Sequence, residues 1–264
     1  MSSSSLTSKV IVVIPHSSDV IPPEIDQTTI IPNAAEELYI EMDVGTDFIY
    51  DFRDELQNQQ IIFPWHRGII DVNQHPKTLD DCIPIKTFWD HDIYTKQPTK
   101  EKRLFLLKKY HKTFHDDLSK MAEDAILIFD SHSTSKNDKD DHGDRFESDI
   151  TVANMQVTSD TGNTLADTCD KELMDLYVDY ITEAFDGKYK IGINSKYLTN
   201  TYGYIEGRYG QRKDTSYSTP VLLQEINEAM HTDEKGNFDR EAMIYLRNVF
   251  AQGLSYAVTK YFSR

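Results

Sequence analysis

Two short apolar runs in this sequence stop abruptly at a polar segment that carries a histidine. The run Lys9–Ile14 leads into Pro15-His16-Ser17-Ser18, and the run Ala125–Phe129 stops at Asp130-Ser131-His132. Short runs rich in β-branched and aromatic residues that end in this way are typical of buried strands, which deliver a polar loop to the edge of a sheet. We therefore expect a sheet whose strand ends carry polar side chains.

Further apolar runs alternate with stretches in which apolar residues recur every three or four positions. The predicted strands are Lys9–Ile14, Ile61–Phe63, Gly68–Val72, Ala125–Phe129, Ile150–Ala153, Lys190–Ile193 and Val221–Ile226. The predicted helices are Glu36–Leu56, a helix that begins at Thr99, Leu165–Phe185 and Arg240–Tyr261. Strands that alternate with helices indicate an α/β fold with a layered sheet, in which ligands bind beyond the carboxyl ends of the strands.

The composition indicates one acidic domain over residues 1–264. The chain has 28 Lys and Arg against 44 Asp and Glu, a formal net charge of −16, and 39% of its residues are hydrophobic. A chain this acidic lacks a general basic surface for phosphate backbones or anionic membranes, so neither nucleic acid nor membrane is an expected partner. We expect a small-molecule ligand instead, and the charge does not predict an oligomeric state.

The ends, loops and cysteines add three expectations. Residues 1–8 lack the apolar core of a secretory signal and are expected to be disordered, and no apolar run approaches the roughly 20 residues that span a bilayer. A cytoplasmic location is therefore expected. The charged stretch 136–145 is expected to form a surface loop. Two cysteines, Cys82 and Cys169, make no disulfide framework and no cysteine-based zinc site.

Any metal would therefore be held by histidines and carboxylates. His16 and His132 each follow a predicted strand, so both lie at the carboxyl edge of the sheet. Two neutral imidazoles and one carboxylate would hold a catalytic zinc and leave a coordination position open for water. Asp19, three residues after His16, and Asp43 are both candidates for the third ligand.

Glu225 is the other informative carboxylate, because it lies inside the apolar run Val221–Ile226. An unpaired charge buried in a strand costs free energy, so we expect this carboxylate either to pair with a basic residue or to have a catalytic role. In a zinc hydrolase, a carboxylate takes a proton from the attacking water and passes it to the leaving group. The alternative is a glutamate at an exposed strand end that pairs with a lysine or arginine.

Five segments taken together resemble the N-formylglutamate amidohydrolase family. They cover most of the chain in the family's order. They are Pro15-His16-Ser17-Ser18 with Ile21-Pro22; Asp43-x-x-x-Asp47-x-x-Tyr50-Asp51-Phe52; Arg67-x-x-x-Asp71-x-Asn73; Asp130-Ser131-His132-Ser133; and Gln224-Glu225-Ile226-Asn227 with Asp233-Glu234.

The resemblance implies a zinc-carboxypeptidase-like α/β fold, shared with aspartoacylases, with helices on both faces of a three-layer mixed sheet. It implies hydrolysis of the linear amide of an N-formyl or N-acyl amino acid, with one zinc ion or another divalent metal as cofactor. His16 and His132 match the family's two histidine ligands. Asp43 matches an acidic position that recurs in the family and is preferred as third ligand, although Asp19 has the spacing found in carboxypeptidases.

The resemblance also assigns the catalytic and substrate-binding positions. Glu225 matches the general base and acid, and Arg67 matches an arginine that helps to polarise the scissile carbonyl in aspartoacylases. The resemblance implies that Asn73, Gln74 and Arg208 bind the substrate. Arg208 stands near the family's Tyr-Gly segment, where the family has an arginine.

The sequence departs from the family at the residue after Asn73. Where the family commonly has an arginine that grips the substrate carboxylate, this chain has Gln74, which carries no charge. Arg208 or Arg145 could supply the charge instead. The departure leaves three hypotheses: a zinc amidohydrolase, a metal-dependent hydrolase of another bond such as an ester, and a non-catalytic module that binds an amino-acid derivative or a partner protein.

Overall fold

A six-stranded mixed sheet forms the centre of the fold. The computed structural model describes residues 3–135, 148–154, 167–194, 203–210 and 219–264. The strands are β1 (Val10–Ile14), β2 (Gln59–Ile62), β3 (Leu127–Thr134), β4 (Ile150–Ala153), β5 (Ile191–Ile193) and β6 (Val221–Asn227). They lie in the order β2-β1-β3-β6-β4-β5, and only the β4–β6 pair of this sheet is antiparallel. The predicted mixed α/β sheet is confirmed.

Helices cover both faces of this sheet. They are α1 (Ser3–Thr7), α2 (Pro32–Ile40), α3 (Thr46–Ile49), α4 (Arg53–Leu56), α5 (Leu79–Cys82), α6 (Lys100–Leu106), α7 (Lys112–Ala122), α8 (Lys171–Phe185), α9 (Tyr204–Tyr209) and α10 (Arg240–Phe262). One π-helical turn, Leu107–His111, joins α6 to α7. The Thr99 hydroxyl accepts a hydrogen bond from the backbone N–H of Lys102, which explains why α6 begins there.

The central strands are buried on both sides, which produces two hydrophobic cores. Val12 and Phe129 point to one face, where α8 and α10 pack, whereas Val13 and Ile128 point to the other, where α2, α6 and α7 pack. A strand buried on both faces has no polar side to present, so β1 appears in the sequence as an unbroken run of apolar residues.

The predicted helix Glu36–Leu56 is broken in the structure. In its place are α2, α3 and α4, separated by loops. Gly45 has a φ of +77°, a left-handed conformation that ends any continuous helix. The break matters for the site, because the backbone N–H of Asp43 in this loop donates to the carbonyl of His16 at 3.1 Å.

The predicted strand Gly68–Val72 is wrong. The segment is a series of turns, in which the N–H groups of Ile69 and Ile70 donate to the carbonyl of His66. The N–H of Asp71 donates to the carbonyl of Cys82. The apolar side chains of this segment are buried in the core, so the sequence pattern predicted their burial correctly. It did not predict the backbone conformation, because the backbone hydrogen bonds are made within turns and to other loops.

Three other expectations concern the ends of elements. Disorder of residues 1–8 is wrong for the described part of that segment, because α1 forms and Leu6 is buried in the core. The helix predicted over Leu165–Phe185 begins at Lys171, and Leu165 lies outside the described residues. The stretch 136–145 also lies outside them. None of the described helices is long and apolar enough to cross a membrane.

Candidate metal centre

The ends of two neighbouring strands bring two histidines together. His16 lies two residues beyond the end of β1, whereas His132 lies inside β3, which is longer than the sequence predicted. The two rings are 4.9 Å apart, and the residues are only 2% and 4% exposed. Because β1 and β3 are parallel neighbours, their carboxyl ends meet at one edge, as expected for a ligand site in this class of sheet.

Asp43 completes a group of three possible metal ligands. Its Oδ2 lies 3.0 Å from Nδ1 of His132 and 3.5 Å from Nδ1 of His16. The three ligand atoms all lie within 4.8 Å of one another, and all three residues are buried. His16 Nδ1 makes no hydrogen bond to any described residue despite its burial. Two imidazole nitrogens and a carboxylate oxygen suit zinc or a related divalent ion, so the donor set fits such a metal.

A second carboxylate lies behind each imidazole. His16 Nε2 donates to Oδ1 of Asp71 at 3.0 Å, and His132 Nε2 is 3.3 Å from Oδ2 of Asp130. A carboxylate that accepts from Nε2, as Asp71 does from His16, orients a metal-binding histidine, because the hydrogen on Nε2 leaves Nδ1 free to coordinate. Both rings direct Nδ1 towards Asp43.

The charges of this cluster depend on one another. Burial alone would raise the pKa of Asp43, but His132 and His16 hold the pKa of that carboxyl well below its usual range. Burial likewise opposes ionisation of Asp71, but the charges of His16 and Arg67 keep its pKa low. Burial would lower the pKa of His132, yet Asp130 and Asp43 hold it well above the ordinary value for histidine. The carboxylates around His132 thus favour a positive charge on its ring.

Arg67 lies at the edge of this array. One terminal nitrogen is 3.4 Å from Oδ1 of Asp43 and the other is 3.2 Å from Oδ2 of Asp71. Its guanidinium also lies over the ring of Phe88, 5.1 Å from the centroid, and its side chain is 16% exposed. A guanidinium with this exposure can reach both the buried carboxylates and an entering molecule.

Glu225 is the register partner of His132 in the β3–β6 pair. Side chains of directly paired residues project from the same face of a sheet, so Glu225 belongs to the face that carries His132. It is half-buried rather than buried. A half-buried carboxyl group on the same face of the sheet as His132 is a candidate for proton transfer.

The predicted substrate-binding residues occupy different environments. Asn73 is buried, and its Nδ2 lies 3.2 Å from His132 Nε2. Gln74 has an exposed side chain, and its backbone carbonyl accepts a hydrogen bond from His111 Nε2 at 3.0 Å. Arg208 donates to the hydroxyl of Tyr204 at 2.8 Å and lies over that ring.

The two remaining candidates are separate from the cluster. Asp19 is exposed and does not belong to the group of three ligands, so the geometry favours Asp43 as the third ligand. Arg145 lies outside the described residues.

A cavity of about 590 Å³ borders the loops that carry His16 and Asp43. Its lining includes Ser17 and Asp19 from the first loop and the two neighbours of Asp43. The remaining lining residues are Tyr39, Gly45, Asp47, Phe48, Phe238, Arg240 and Met243. The volume is within the range of small-molecule pockets, and the many apolar and aromatic side chains suit an apolar group.

Several residues of the site have no role assigned by the sequence. Asp71 and Asp130 occur in the family motifs. Asp71 lies four residues after Arg67 and Asp130 lies two residues before His132, and this spacing was the available signal. Tyr50 also occurs there: its hydroxyl donates to the carbonyl of His132 at 3.2 Å and accepts from Gln224 Nε2. These contacts hold the β3 backbone in place beneath the imidazole.

The chain resembles known proteins in both sequence and fold. The model of the N-formylglutamate amidohydrolase family matches residues 8–231. No curated protein sequence matches the chain significantly. The crystal structure of an N-formylglutamate amidohydrolase from Ralstonia eutropha JMP134 is similar, with 18% identity, a TM-score of 0.72, and coverage of 97% of this chain and 94% of that chain.

Two further structures are similar to the chain. The gene product Atu2144 from Agrobacterium tumefaciens has 16% identity and a TM-score of 0.62, over 96% of this chain and 93% of that one. Carboxypeptidase A from Helicoverpa armigera has 9% identity and a TM-score of 0.43, over 98% of this chain and 63% of that one. At these identities the Ralstonia eutropha and Agrobacterium tumefaciens structures support the fold alone, but the family model spans most of the sequence. The chain therefore belongs to the N-formylglutamate amidohydrolase family.

Proposed function

We propose that this protein is a zinc-dependent hydrolase that cleaves the linear amide of an N-formyl or N-acyl amino acid. The observation that carries the proposal is the convergence of His16 Nδ1, His132 Nδ1 and an Asp43 oxygen within 4.8 Å in a buried site. Each histidine has a carboxylate behind it, which is the arrangement expected for metal-binding imidazoles.

In this proposal His16, Asp43 and His132 hold the metal. A divalent ion bound there supplies Lewis acidity and makes water a stronger nucleophile at neutral pH. Asp71 and Asp130 keep the two imidazoles in the orientation that faces the ion. Arg67, whose guanidinium lies 3.4 Å from Asp43, stabilises the negative charge that develops on the carbonyl oxygen of the amide.

Glu225 moves the proton in this proposal. It accepts a proton from the attacking water and delivers it to the amide nitrogen, so that the amine leaves as a neutral group. Asn73, Gln74 and Arg208 bind the amino-acid portion. The guanidinium of Arg208 is the candidate partner for a substrate carboxylate, because Gln74 cannot provide a charge.

The decisive experiment compares Glu225→Gln with Glu241→Gln, which removes the same charge from an exposed glutamate of α10. We expect Glu225→Gln to keep its full metal content and to lose about 10² to 10⁴-fold in kcat, the usual contribution of general acid and base catalysis. Glu241→Gln should behave as the wild type. Unchanged turnover in Glu225→Gln would contradict the role of this residue.

The substrate is tested on the wild-type protein. N-formyl and N-acetyl derivatives of acidic, neutral and aromatic amino acids are assayed with and without chelator, and bound zinc is measured by elemental analysis. We expect turnover that is abolished by chelation and restored by zinc. A chain that binds an N-acyl amino acid without stoichiometric metal and without turnover would instead be the binding module that the sequence also allowed.

A further inference from the structure

The cavity of about 590 Å³ lies beside the proposed metal centre. Its lining includes the residue that follows each of two proposed ligands, Ser17 after His16 and Val44 after Asp43. The three residues proposed to bind the amino-acid portion of the substrate do not line it. An amide held at the metal centre has two ends, the acyl group and the amino acid. With the amino acid bound elsewhere, the cavity is left for the acyl group.

One wall of the cavity comes from the start of α10 and the residues before it. Phe238, Arg240 and Met243 form this wall. A Cβ at Gly45 would lie 2.9 Å from Met243 Cε and 3.2 Å from Phe238 Cε1, so the wall packs directly on the loop that carries the third proposed ligand. The family model matches residues 8–231, so the family match does not include this wall.

His231 fixes Phe238 in this position. The imidazole is fully buried, and its Nε2 donates to the carbonyl of Val44 at 2.9 Å. The backbone N–H of Asp239 donates to the carbonyl of His231, also at 2.9 Å. The Phe238 ring stacks on the imidazole, with 12° between the ring planes and 6.4 Å between their centroids. The position of the wall is therefore set by hydrogen bonds and stacking rather than by the Phe238 side chain alone.

Two large aromatic side chains of the cavity are open to solvent. Tyr39 is 58% exposed and Phe238 is 53% exposed, and both line the cavity. Met42 and Phe48 add further apolar surface to the lining. Contact between this surface and an apolar group removes both from water, which is favourable in proportion to the area that is buried.

The charged side chains of the cavity do not favour an anion. Asp19 and Asp47 line it together with a single cation, Arg240. The guanidinium of Arg240 lies over the ring of Phe48, 5.6 Å from the centroid. A carboxylate in this cavity would face two like charges and one opposite charge, whereas an apolar group meets no such repulsion.

We propose that this cavity binds the acyl group of the substrate, and that the acyl group is apolar and larger than acetyl. Butanoyl, hexanoyl and phenylacetyl groups are of this class. This inference rests on the proposed function, because the acyl group belongs to the amide that is cleaved there. A formyl group adds no carbon beyond the scissile carbonyl and would leave the cavity to water. Phe238 is then a specificity-determining residue.

The test uses N-acyl derivatives of glycine, because glycine has no side chain that could enter the cavity. The acyl groups are formyl, acetyl, butanoyl, hexanoyl and succinyl, the last of which ends in a carboxylate. The value of kcat/KM is measured with Zn²⁺ present, and Kd is measured by calorimetry on the chelator-treated chain. N-acetylleucine and N-acetylphenylalanine place the apolar group on the amino acid instead.

We expect kcat/KM to rise about 10- to 100-fold from N-acetylglycine to N-hexanoylglycine and Kd to fall in parallel, since each fully buried methylene contributes about 4-fold. N-succinylglycine should be no better than N-acetylglycine. The absence of a gain along the alkyl series would overturn the inference. So would a preference for succinyl, or a larger gain when the apolar group is on the amino acid.

The contribution of the wall is tested with Phe238→Ala. The matched control is Phe105→Ala, which removes a ring that is 49% exposed on α6 and does not line the cavity. Phe238→Ala should lower kcat/KM for N-hexanoylglycine about 10-fold and leave the value for N-acetylglycine nearly unchanged. Phe105→Ala should behave as the wild type. An equal loss for both substrates in Phe238→Ala would mean that the ring is only structural.

Circular dichroism and the Tm report whether Phe238→Ala folds. If it does not, Tyr39→Ala removes an exposed ring of the cavity that belongs to α2, and the same comparison of hexanoyl with acetyl applies. An unchanged preference for hexanoyl in a folded Tyr39→Ala chain would then count against the cavity as the acyl site.

Failure of the proposed function gives a different result. A wild-type chain that hydrolyses none of these amides with Zn²⁺ present contradicts the proposed function, and the Kd series on the chelator-treated chain still decides whether the cavity prefers an apolar group. Hydrolysis of N-formylglycine without any gain along the alkyl series leaves the proposed function standing and overturns only the inference about the acyl group.

Discussion

His132 and His115 are buried to nearly the same degree, 4% and 3% exposed, but they have opposite surroundings. His132 lies between the carboxylates of Asp43 and Asp130, and its pKa is held well above the ordinary value. His115 lies between the carbonyl of Val72 and the hydroxyl of Tyr209, and burial, together with the nearby charge of His111, lowers its pKa to about 3.

The difference teaches that neighbours, not burial, decide what a buried histidine can do. His115 donates a hydrogen bond from Nε2 to the carbonyl of Val72 at 2.7 Å, which joins α7 to the turn that precedes Asn73. A neutral imidazole suits this structural contact. His132 has acidic groups on both sides, and such a ring is suited to a cation, whether a proton or a metal.

The largest expected effect contrasts the two histidines directly. We expect His132→Gln to weaken Zn²⁺ binding by more than about 100-fold, beyond the range for loss of an outer partner, because it removes one of the three proposed ligands. His115→Gln should leave the affinity near the wild-type value. Chelator competition on both variants measures the effect. An equal loss of Zn²⁺ affinity in both variants would show that the two buried histidines contribute equally to metal binding.

A smaller effect is expected at the carboxylate behind His16. Asp71→Asn keeps the size of the side chain but removes the charge that faces His16 and Arg67, so Zn²⁺ affinity should fall about 10- to 100-fold. The exposed Asp124→Asn is the matched control. A Kd unchanged by Asp71→Asn would mean that the hydrogen bond to His16 does not orient the ring.

The stability of the metal-free chain should depend on pH through His115. The unfolded chain protonates His115 below about pH 6.5 and the folded chain only near pH 3, so acid favours unfolding and stability rises with pH across this window. Arg208 adds to the positive charge near the ring and Asp130 opposes it. At pH 5 the loss from this group is about 2 kcal/mol.

Denaturant unfolding of wild type and His115→Gln at pH 8, 6.5 and 5 isolates this contribution, because other groups titrate alike in both chains. At pH 8 the variant should be less stable by about 1–3 kcal/mol, since it loses buried hydrogen bonds. This difference in unfolding free energy between the wild type and His115→Gln should narrow as the pH falls. A difference in unfolding free energy that stays constant, or that widens in acid, would show that His115 is not held neutral in the folded chain.

The strands of the site were predictable because a strand that is buried on both faces has a continuous run of apolar residues. The approach of His16 to His132 follows from two such runs that end in polar residues. Local patterns were less informative where the chain turns: the buried residues of Gly68–Val72 suggested a strand, but their backbone hydrogen bonds close turns. The left-handed Gly45 likewise divides what its neighbours suggest is one helix.

Glu206 illustrates what a linear pattern cannot report. It lies in a short helical segment, where an acidic residue is usually solvated. Its burial depends on Asn73, whose side chain accepts from Ile205 across 132 positions of sequence, and on the missing side chain of Gly203. The roles of Asp71 and Asp130 similarly depend on distances that only the folded sheet brings about.

The wide separation of the ligands along the chain has a consequence for folding. Asp43 and His132 are 89 positions apart, and each lies on a different segment of the fold. In the proposed site, a bound ion acts as a reversible cross-link that closes long loops, and it can form only after β1 and β3 have paired. Free metal at concentrations above its Kd then raises the free energy of unfolding. The Tm of the protein therefore rises with the fraction of molecules that hold the metal.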